Sequence, residues 1–158
     1  MISEPKIEQA TPEARVAPSE TYRILIMDTV EHSDQLKQAC KEAGHSVAIA
    51  HTIAEAFAFL EGKDNADLIV CAAYLEDESL FDFLNKLRAS EIHQDARFMI
   101  LALEPGPIGA IANDTTQKVG KLLGADAFVS MPVFNAELLI KEIDKLLPAI
   151  PVLEQKKN

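Results

Sequence analysis

The chain has 158 residues, of which 48% are hydrophobic and 25% are charged, and its formal net charge at pH 7 is −10. Its length fits one domain with an ordinary core, and its acidity argues against a nucleic-acid partner, which requires a basic face. No apolar stretch is long enough to cross a bilayer, no secretory signal begins the chain, and two cysteines imply no disulfide framework, so a cytoplasmic location without membrane insertion is expected.

The two ends of the chain differ in composition from its centre. Residues 1–21 contain three prolines among Glu, Ala, Ser and Thr without any periodicity, which predicts a disordered tail. Residues 149–158 form a short polar tail after a proline that stops a helix. The sequence therefore predicts one folded domain over residues 22–148, between two tails.

Within the folded domain, five short apolar runs alternate with five helical patterns. The apolar runs predict β-strands at residues 23–28, 46–50, 67–72, 98–103 and 127–130. The helical patterns place helices at 33–43, from Thr52 to Leu60, at 79–89, from Asp114 to Gly124, and from Asn135 to Leu147. This alternation is typical of an α/β fold, here a flavodoxin-like (βα)5 three-layer sandwich with an open parallel sheet.

Local signals bound several of these helices. Thr52 and Glu55 have the spacing of a capping box, and Asn135 can cap the last helix. Gly44 and Gly124 each follow a helical pattern, as a glycine that ends a helix does.

A segment rich in glycine and proline, residues 104–113, separates the fourth strand from the fourth helix. Connections in α/β units are usually about 2–6 residues long, so this segment is predicted to be a long loop. Such a loop either covers a pocket at the sheet edge or faces a partner. It is not a phosphate-binding loop, because it lacks the Gly-Lys-Ser/Thr ending.

In parallel α/β sheets, ligands bind outside the carboxyl ends of the central strands. The residues that end the first, third, fourth and fifth strands are Asp28 and Thr29, Ala72, Ala102, and Met131 and Pro132. These positions are the candidate functional site.

The order and spacing of these runs resemble the receiver domain of bacterial two-component (phosphorelay) response regulators of the CheY-like type. Residues 124–128, Gly-Ala-Asp-Ala-Phe, strengthen the resemblance, which covers residues 22–148. It implies a sheet of order 2-1-3-4-5 with helices 1 and 5 on one face. It also implies an acidic pair ending strand 1, a phosphoaccepting Asp ending strand 3, a Thr or Ser ending strand 4, and Lys followed by a cis proline ending strand 5.

The chain keeps only the first acid and the proline of that set. Ala72 leaves the phosphoacceptor position vacant, Ala102 cannot bond a phosphoryl oxygen, Met131 carries no charge, and Thr29 offers a hydroxyl in place of a second carboxylate. A phosphoaspartate needs a carboxylate nucleophile, and Mg²⁺ normally takes one or two carboxylates. The sequence therefore predicts a stand-alone pseudo-receiver with no catalytic residue, metal or cofactor.

Other residues with chemical potential have structural alternatives. Asp28 either retains a weak cation site or accepts hydrogen bonds from a nearby backbone N–H or from Thr29. Phe128 stands where the resemblance implies an aromatic switch residue, often Tyr, and otherwise packs at the strand edge. Cys71, turned away from Ala72 by strand alternation, is expected in the core. Cys40, on the apolar face of helix 1, is likewise expected in the core. The scattered histidines His32, His45, His51 and His93 are expected on the surface or in loops. The acids 76–78 either solvate a loop and the first turn of helix 3 or send one side chain inward to the site.

The favoured function is a non-enzymatic signalling adaptor that binds a protein partner, such as a signalling kinase or regulator, independently of phosphorylation. One alternative is an atypical receiver that is still phosphorylated, on Asp28 or Asp77. Another is a flavodoxin-like binder of a nucleotide or flavin, although the first turn has few glycines. The predicted partner surface lies on helix 4, strand 5 and helix 5, and includes Lys118, Lys121, Phe128, Phe134 and Lys141.

Overall fold

A computed structural model of the protein describes residues 22–62 and 65–147. The predicted tails, 1–21 and 149–158, lie outside the described residues. Strands and helices alternate in the order β1 (Arg23–Met27), α1 (Val30–Glu42), β2 (Ser46–Ala50), α2 (Ile53–Leu60), β3 (Leu68–Ala72), α3 (Leu80–Ala89), β4 (Arg97–Leu103), α4 (Gly106–Leu122), β5 (Ala127–Met131) and α5 (Ala136–Leu146). Apart from the start of α4, the predicted bounds lie within about three residues of these.

The five strands form one sheet in the order β2-β1-β3-β4-β5. Every neighbouring pair is parallel, which confirms the predicted topology. Ala72 pairs with Leu101, and Ala102 pairs with Ser130. The strand register therefore brings the ends of β1, β3 and β4 to one edge of the sheet.

Each face of the sheet carries its own hydrophobic core, because successive side chains along a strand point to opposite faces. The first core contains Leu25 and Ile100 and packs against α2 and α3. Gly120 lets the backbone of α4 approach the Ile100 side chain on this face. The second core contains the strand residues that alternate with those of the first, such as Ile24 and Val70, and it packs against α1 and α5. The predicted distribution of helices over the two faces is confirmed.

The predicted N-caps Thr52 and Asn135 are confirmed. The reciprocal bond of the predicted capping box differs, because Glu55 Oε1 accepts from the N–H of His51, one residue before the cap, at 2.8 Å. The hydroxyl of Thr52 accepts a hydrogen bond from Glu55 N at 3.0 Å. The side chain of Asn135 accepts one from Leu138 N at 3.0 Å. Gly124 follows α4 with φ +106, a conformation in which a side chain would be strained.

The predicted long loop at 104–113 is wrong, because α4 begins at Gly106 rather than near Asp114. A proline in the first turn of a helix lacks only an N–H that has no partner inside the helix, so Pro107 does not prevent the helix. Gly109 is required by packing, since a Cβ there would lie 3.2 Å from the ring of Tyr74. The glycine and proline of this segment therefore belong to a helix start packed against a tyrosine.

The predicted cis peptide between Met131 and Pro132 is also wrong, since the described residues contain no cis peptide bond. The cis expectation came from the family resemblance alone. The trans form of an X–Pro bond is favoured by about 0.5–1 kcal/mol, so trans is the form expected in general. Within the described ranges, no helix combines the length and apolar character that crossing a membrane requires.

Candidate functional site

A small cavity of about 160 Å³ lies at the carboxyl ends of β1, β3 and β4. Its lining includes Asp28, Thr29, Ala72 and Ala102, so four of the predicted site residues come together. Met131 is buried in the second core instead, and its Sδ accepts a hydrogen bond from the backbone at the start of α5. Pockets that hold drug-sized ligands measure about 300–1,000 Å³, so this cavity is too small for a nucleotide or flavin.

Asp28 supplies the buried carboxylate of this cavity, with 4% of its surface exposed. Its Oδ1 accepts a hydrogen bond from Thr29 N at 2.6 Å and lies 3.3 Å from His32 Nδ1. Its Oδ2 has no hydrogen-bond partner in the part of the chain that the structure describes. Burial raises the pKa of this carboxyl above its ordinary value of 3.8, although the Thr29 N–H and the nearby His32 act to lower it. The predicted bond from a neighbouring backbone N–H is confirmed.

The Thr29 hydroxyl caps α1 and also acts on the Asp28 carboxyl, whose pKa it lowers. Thr29 is the N-cap of α1, and its Oγ1 accepts a hydrogen bond from His32 N at 3.2 Å. Such a bond satisfies one of the N–H groups that have no partner inside the helix. The hydroxyl is therefore engaged, and Asp28 remains the acid that lies deepest in the cavity.

Two histidines that were predicted on the surface or in loops, His32 and His51, lie beside Asp28. His32 lies between two acids, with Nδ1 3.3 Å from Asp28 Oδ1 and Nε2 3.6 Å from Glu104 Oε1. His51 Nδ1 lies 2.8 Å from the backbone oxygen of Asp28. The spacing of Asp28 and His32 across the start of a helix was an available signal, since residues four apart are neighbours there.

His45 and His93 lie in loops, as predicted, but both side chains are buried rather than on the surface. His45 follows the turn after α1, where its backbone N donates to Cys40 O and its ring lies 6.0 Å from that of Tyr22. His93 lies in the turn between α3 and β4, which folds back toward the sheet. A short connection can bury a ring when its backbone bonds are satisfied locally.

The ends of β3 and β4 contribute methyl groups to the cavity. Ala72 and Ala102 are buried and offer neither a nucleophile nor a hydrogen-bonding side chain. Two residues beyond Ala72, the hydroxyl of Tyr74 lies 2.9 Å from Gly109 O and 2.7 Å from Asn113 Oδ1.

Asn113 extends this contact to the edge strand, because its Nδ2 donates to Ser130 Oγ at 3.2 Å. Tyr74, Asn113 and Ser130 therefore connect the end of β3, the first half of α4 and β5. None of the three was predicted, since the network depends on a helix that the sequence did not indicate.

Comparison of the structure with solved proteins identifies this architecture. The chemotaxis response regulator CheY4 of Vibrio cholerae is 23% identical, with a TM-score of 0.67 over 80% of this chain and 99% of that one. A CheY-like receiver domain protein from Methanospirillum hungatei is 25% identical, with a TM-score of 0.62 over 80% and 94% of the two chains. The fold is that of a response-regulator receiver domain.

Sequence comparison adds one curated relative of this receiver-fold protein. Adventurous-gliding motility protein Z of Myxococcus xanthus is 31% identical over 118 residues, which is 73% of this chain and 8% of that protein. The chain thus spans a small part of the length of its relative. No family model matches the chain.

The acids that follow β3 in this receiver fold do not line the cavity. The carboxylate of Glu78 accepts a hydrogen bond from Ile53 N at 2.9 Å, at the start of α2. Asp77 is exposed and has φ +61. The described part of the chain contains no group of three His, Cys, Asp or Glu residues that could hold a metal ion.

Both cysteines lie in the cores of the receiver fold. Burial raises the pKa of Cys40 to about 12. Burial, together with the charges of Asp28 and Glu78, raises the pKa of Cys71 well above its ordinary value. A thiol with a raised pKa and no solvent access is a poor nucleophile, which agrees with a packing role.

The structure separates the residues of the predicted partner surface. Lys118, Lys121 and Lys141 are exposed. Phe128 packs against the first core and Phe134 against the second, so the two rings lie on opposite faces of the sheet. The alternation of side chains along β5 directs Phe128 to its face, and the turn before α5 directs Phe134 to the other face. Both rings are half-buried, so the fully exposed members of the predicted surface are the lysines.

Sequence analysis missed two apolar residues beside these lysines. Ile111 and Leu122 on α4 are 82% and 84% exposed. Residues 111, 118 and 122 follow the spacing of one helix face, so Lys118 lies between them. Lys118 pairs with Asp114 at 3.1 Å, and both side chains are exposed. We call Ile111, Lys118 and Leu122 the α4 stripe.

Proposed function

We propose that this protein is a pseudo-receiver, a signalling adaptor that acts by contact with a protein partner and catalyses no reaction. The observation that carries the proposal is the methyl group of Ala72 at the end of β3, inside the cavity where the receiver fold implies a phosphoaccepting Asp. A methyl group cannot accept a phosphoryl group. The likeness to receiver domains and to a motility protein supports a role in bacterial signalling.

The electrostatics of the cavity support the same proposal. Phosphoryl transfer needs cations that balance the charge on the transferred oxygens. Asp28 is the buried acid, Glu104 lies on the other side of His32, and Met131 places a thioether in the second core. This arrangement offers neither the paired carboxylates that suit Mg²⁺ nor a fixed positive charge.

Without phosphoryl chemistry, the proposed adaptor works through its surface. The α4 stripe combines two exposed apolar side chains with a lysine, and Lys121 adds a second positive charge on the same helix. In a chain of net charge −10, such a local positive site favours an acidic partner with some apolar surface. We place the partner interface on α4 and the adjoining part of β5.

Acetyl phosphate with Mg²⁺, followed by intact-mass measurement of the full chain, tests the loss of phosphorylation. The expected result is an unmodified mass, together with unchanged amide resonances of Asp28 and Ala72 in the presence of beryllofluoride. A phosphate adduct that maps to Asp28 or Asp77 would support an atypical receiver and overturn the adaptor proposal.

A matched pair of charge-reversal variants tests the interface. The double change Lys118→Glu and Lys121→Glu is expected to weaken capture of the partner from extracts of the native host. The control reverses Lys41, an exposed lysine on α1, and is expected to leave capture unchanged. Exposed substitutions rarely change stability by more than about 0.5 kcal/mol, so both variants should melt like the parent. Loss of capture in the α1 variant alone would move the interface to the opposite side.

A further inference from the structure

Asp28 lines the cavity and is almost fully buried, yet among the described residues its Oδ2 has no hydrogen-bond partner. Buried polar atoms are nearly always paired, and an unpaired oxygen of an acid requires an explanation. Because the residue lines the cavity, a cationic group that enters the cavity can approach this carboxylate.

The charge around this oxygen is unbalanced. The basic side chain beside this carboxylate is His32, whose Nδ1 lies 3.3 Å from the other oxygen, Oδ1. His51 is directed to the backbone oxygen of Asp28 rather than to the carboxylate. Glu104, at the mouth of the cavity, adds a second acid that is about half exposed. The cavity is therefore acidic at both its floor and its mouth, which favours a cationic ligand.

The walls of the cavity specify the kind of cation. Ala72, Ala102 and Leu103 present apolar surface between the floor and the mouth. Apolar walls that lead to a carboxylate suit the methylene chain and terminal ammonium of a lysine. A guanidinium prefers a carboxylate with both oxygens available, and Oδ1 is already engaged by Thr29. A metal ion would need further ligands close to Asp28.

We propose that the cavity binds the side chain of a lysine carried by a protein partner, with its ammonium group on Asp28 Oδ2 and beside the Glu104 carboxylate. This inference rests on the proposed adaptor function and names a second point of contact, separate from the α4 stripe. The partner lysine then supplies the positive charge that the chain itself does not place in the cavity.

A titration of the full chain with n-butylammonium chloride, followed by amide NMR, tests the chemistry of the site. Saturable shifts are expected at Thr29, Ala73 and Glu104, with affinity in the millimolar range. Sodium chloride at matched ionic strength and n-butanol, which lacks the charge, should not produce them. Asp28→Asn is expected to weaken binding by at least about tenfold, as removal of the buried member of a charge pair does.

Two further variants test whether binding depends on the cavity itself or only on nearby charge. Asp34→Asn, an exposed change on α1, should leave the affinity unchanged. Ala72→Leu keeps the Asp28 charge but fills the cavity, and should also abolish binding. Equal binding in the parent and in Asp28→Asn, or undiminished binding in Ala72→Leu, would overturn the proposal. Shifts that neither saturate nor localise would overturn it as well.

A capped peptide with one central lysine tests whether the ligand can be part of a protein. It should shift the same amides, and the same peptide with acetyl-lysine should not. Binding of butylammonium without binding of the lysine peptide would reject a protein side chain as the ligand. Failure of all these titrations leaves the adaptor proposal standing, whereas a phosphate adduct from acetyl phosphate would overturn the adaptor proposal by itself.

Discussion

Replacing Asp28 with Asn is expected to stabilise the protein at pH 7. The amide has the size of the carboxylate, and its oxygen can still accept the bond from Thr29 N, which is 2.6 Å long in the parent. The change removes a negative charge from a residue that is 4% exposed and whose second oxygen has no partner among the described residues. The amide NH2 takes the place of that oxygen, and burying this neutral donor costs less than burying the charge.

The magnitude follows from two opposing effects. Burying an ion without full compensation costs several kcal/mol. Neutralising Asp28 weakens its bond from Thr29 and its contact with His32, because hydrogen bonds to charged groups are worth about 1.5–3 kcal/mol and neutral ones about 0.5–1.5 kcal/mol. The difference is a net gain of about 1–2 kcal/mol in the free energy of unfolding. For a domain of this size, such a gain raises Tm by about 3–6 °C.

The pH dependence of the free energy of unfolding tests the sign of the predicted effect. Burial raises the pKa of Asp28 in the folded state above 3.8, so the folded protein holds this proton more tightly than the unfolded chain does. The charged form penalises folding above the raised pKa, and the penalty disappears as the pH falls through that value toward 3.8. The advantage of Asp28→Asn should therefore be present at pH 7 and shrink in acid.

Urea denaturation of the parent and the variant across this pH range measures the effect. Asp34→Asn, an exposed change of the same charge on α1, is the control and should stay within about 0.5 kcal/mol of the parent. A variant that is less stable than the parent at pH 7, or a gain that persists below pH 3.8, would refute the reasoning.

Three other predictions follow from the packing, two for substitutions and one for the reactivity of the thiols. Tyr74→Phe removes the hydroxyl contact with Gly109 and should lower the free energy of unfolding by about 1 kcal/mol in urea. Gly109→Ala places a methyl group 2.8 Å from Pro105 Cβ, so it should cost about 1–3 kcal/mol despite the better helix former, and a more stable variant would contradict the packing of α4. The thiols of Cys40 and Cys71 should react with Ellman's reagent only on unfolding, and rapid modification of the native protein would exclude their burial.

The parts of the fold that depend on local signals could be predicted from the sequence. Strands buried on both faces are continuous apolar runs, as in β3 and β4. The caps Thr52 and Asn135 bond to backbone groups three residues away, so their roles are visible in a short window. Sheet order came from the family resemblance, since strand pairing joins residues that are distant in the chain.

The start of α4 could not be predicted because it depends on a contact between residues that are distant in the chain. Gly106 and Pro107 have the composition of a turn, and their local preferences indicate a loop. The helix is fixed by Tyr74, whose hydroxyl contacts Gly109, 35 residues further along the chain. A contact of that separation leaves no trace in local periodicity.

The candidate site was predicted in part. Asp28 and Ala72 were found because parallel strands end together at one edge of the sheet. His32 and Glu104 were missed, because their place beside Asp28 depends on side-chain directions at two different helix starts.

The junction between β4 and α4 forms one side of the cavity. Glu104 and Gly106, with φ +47 and +75, flank Pro105, whose ring restricts the backbone even in the unfolded chain. The N–H of Glu104 is bonded to Met131 O at 2.8 Å, which joins this corner to the edge strand. One wall of the cavity is thus preorganised, and an incoming side chain need not order it. We therefore expect a side chain to bind there without backbone rearrangement. Differences in affinity between ligands should then arise mainly from their dissociation rates.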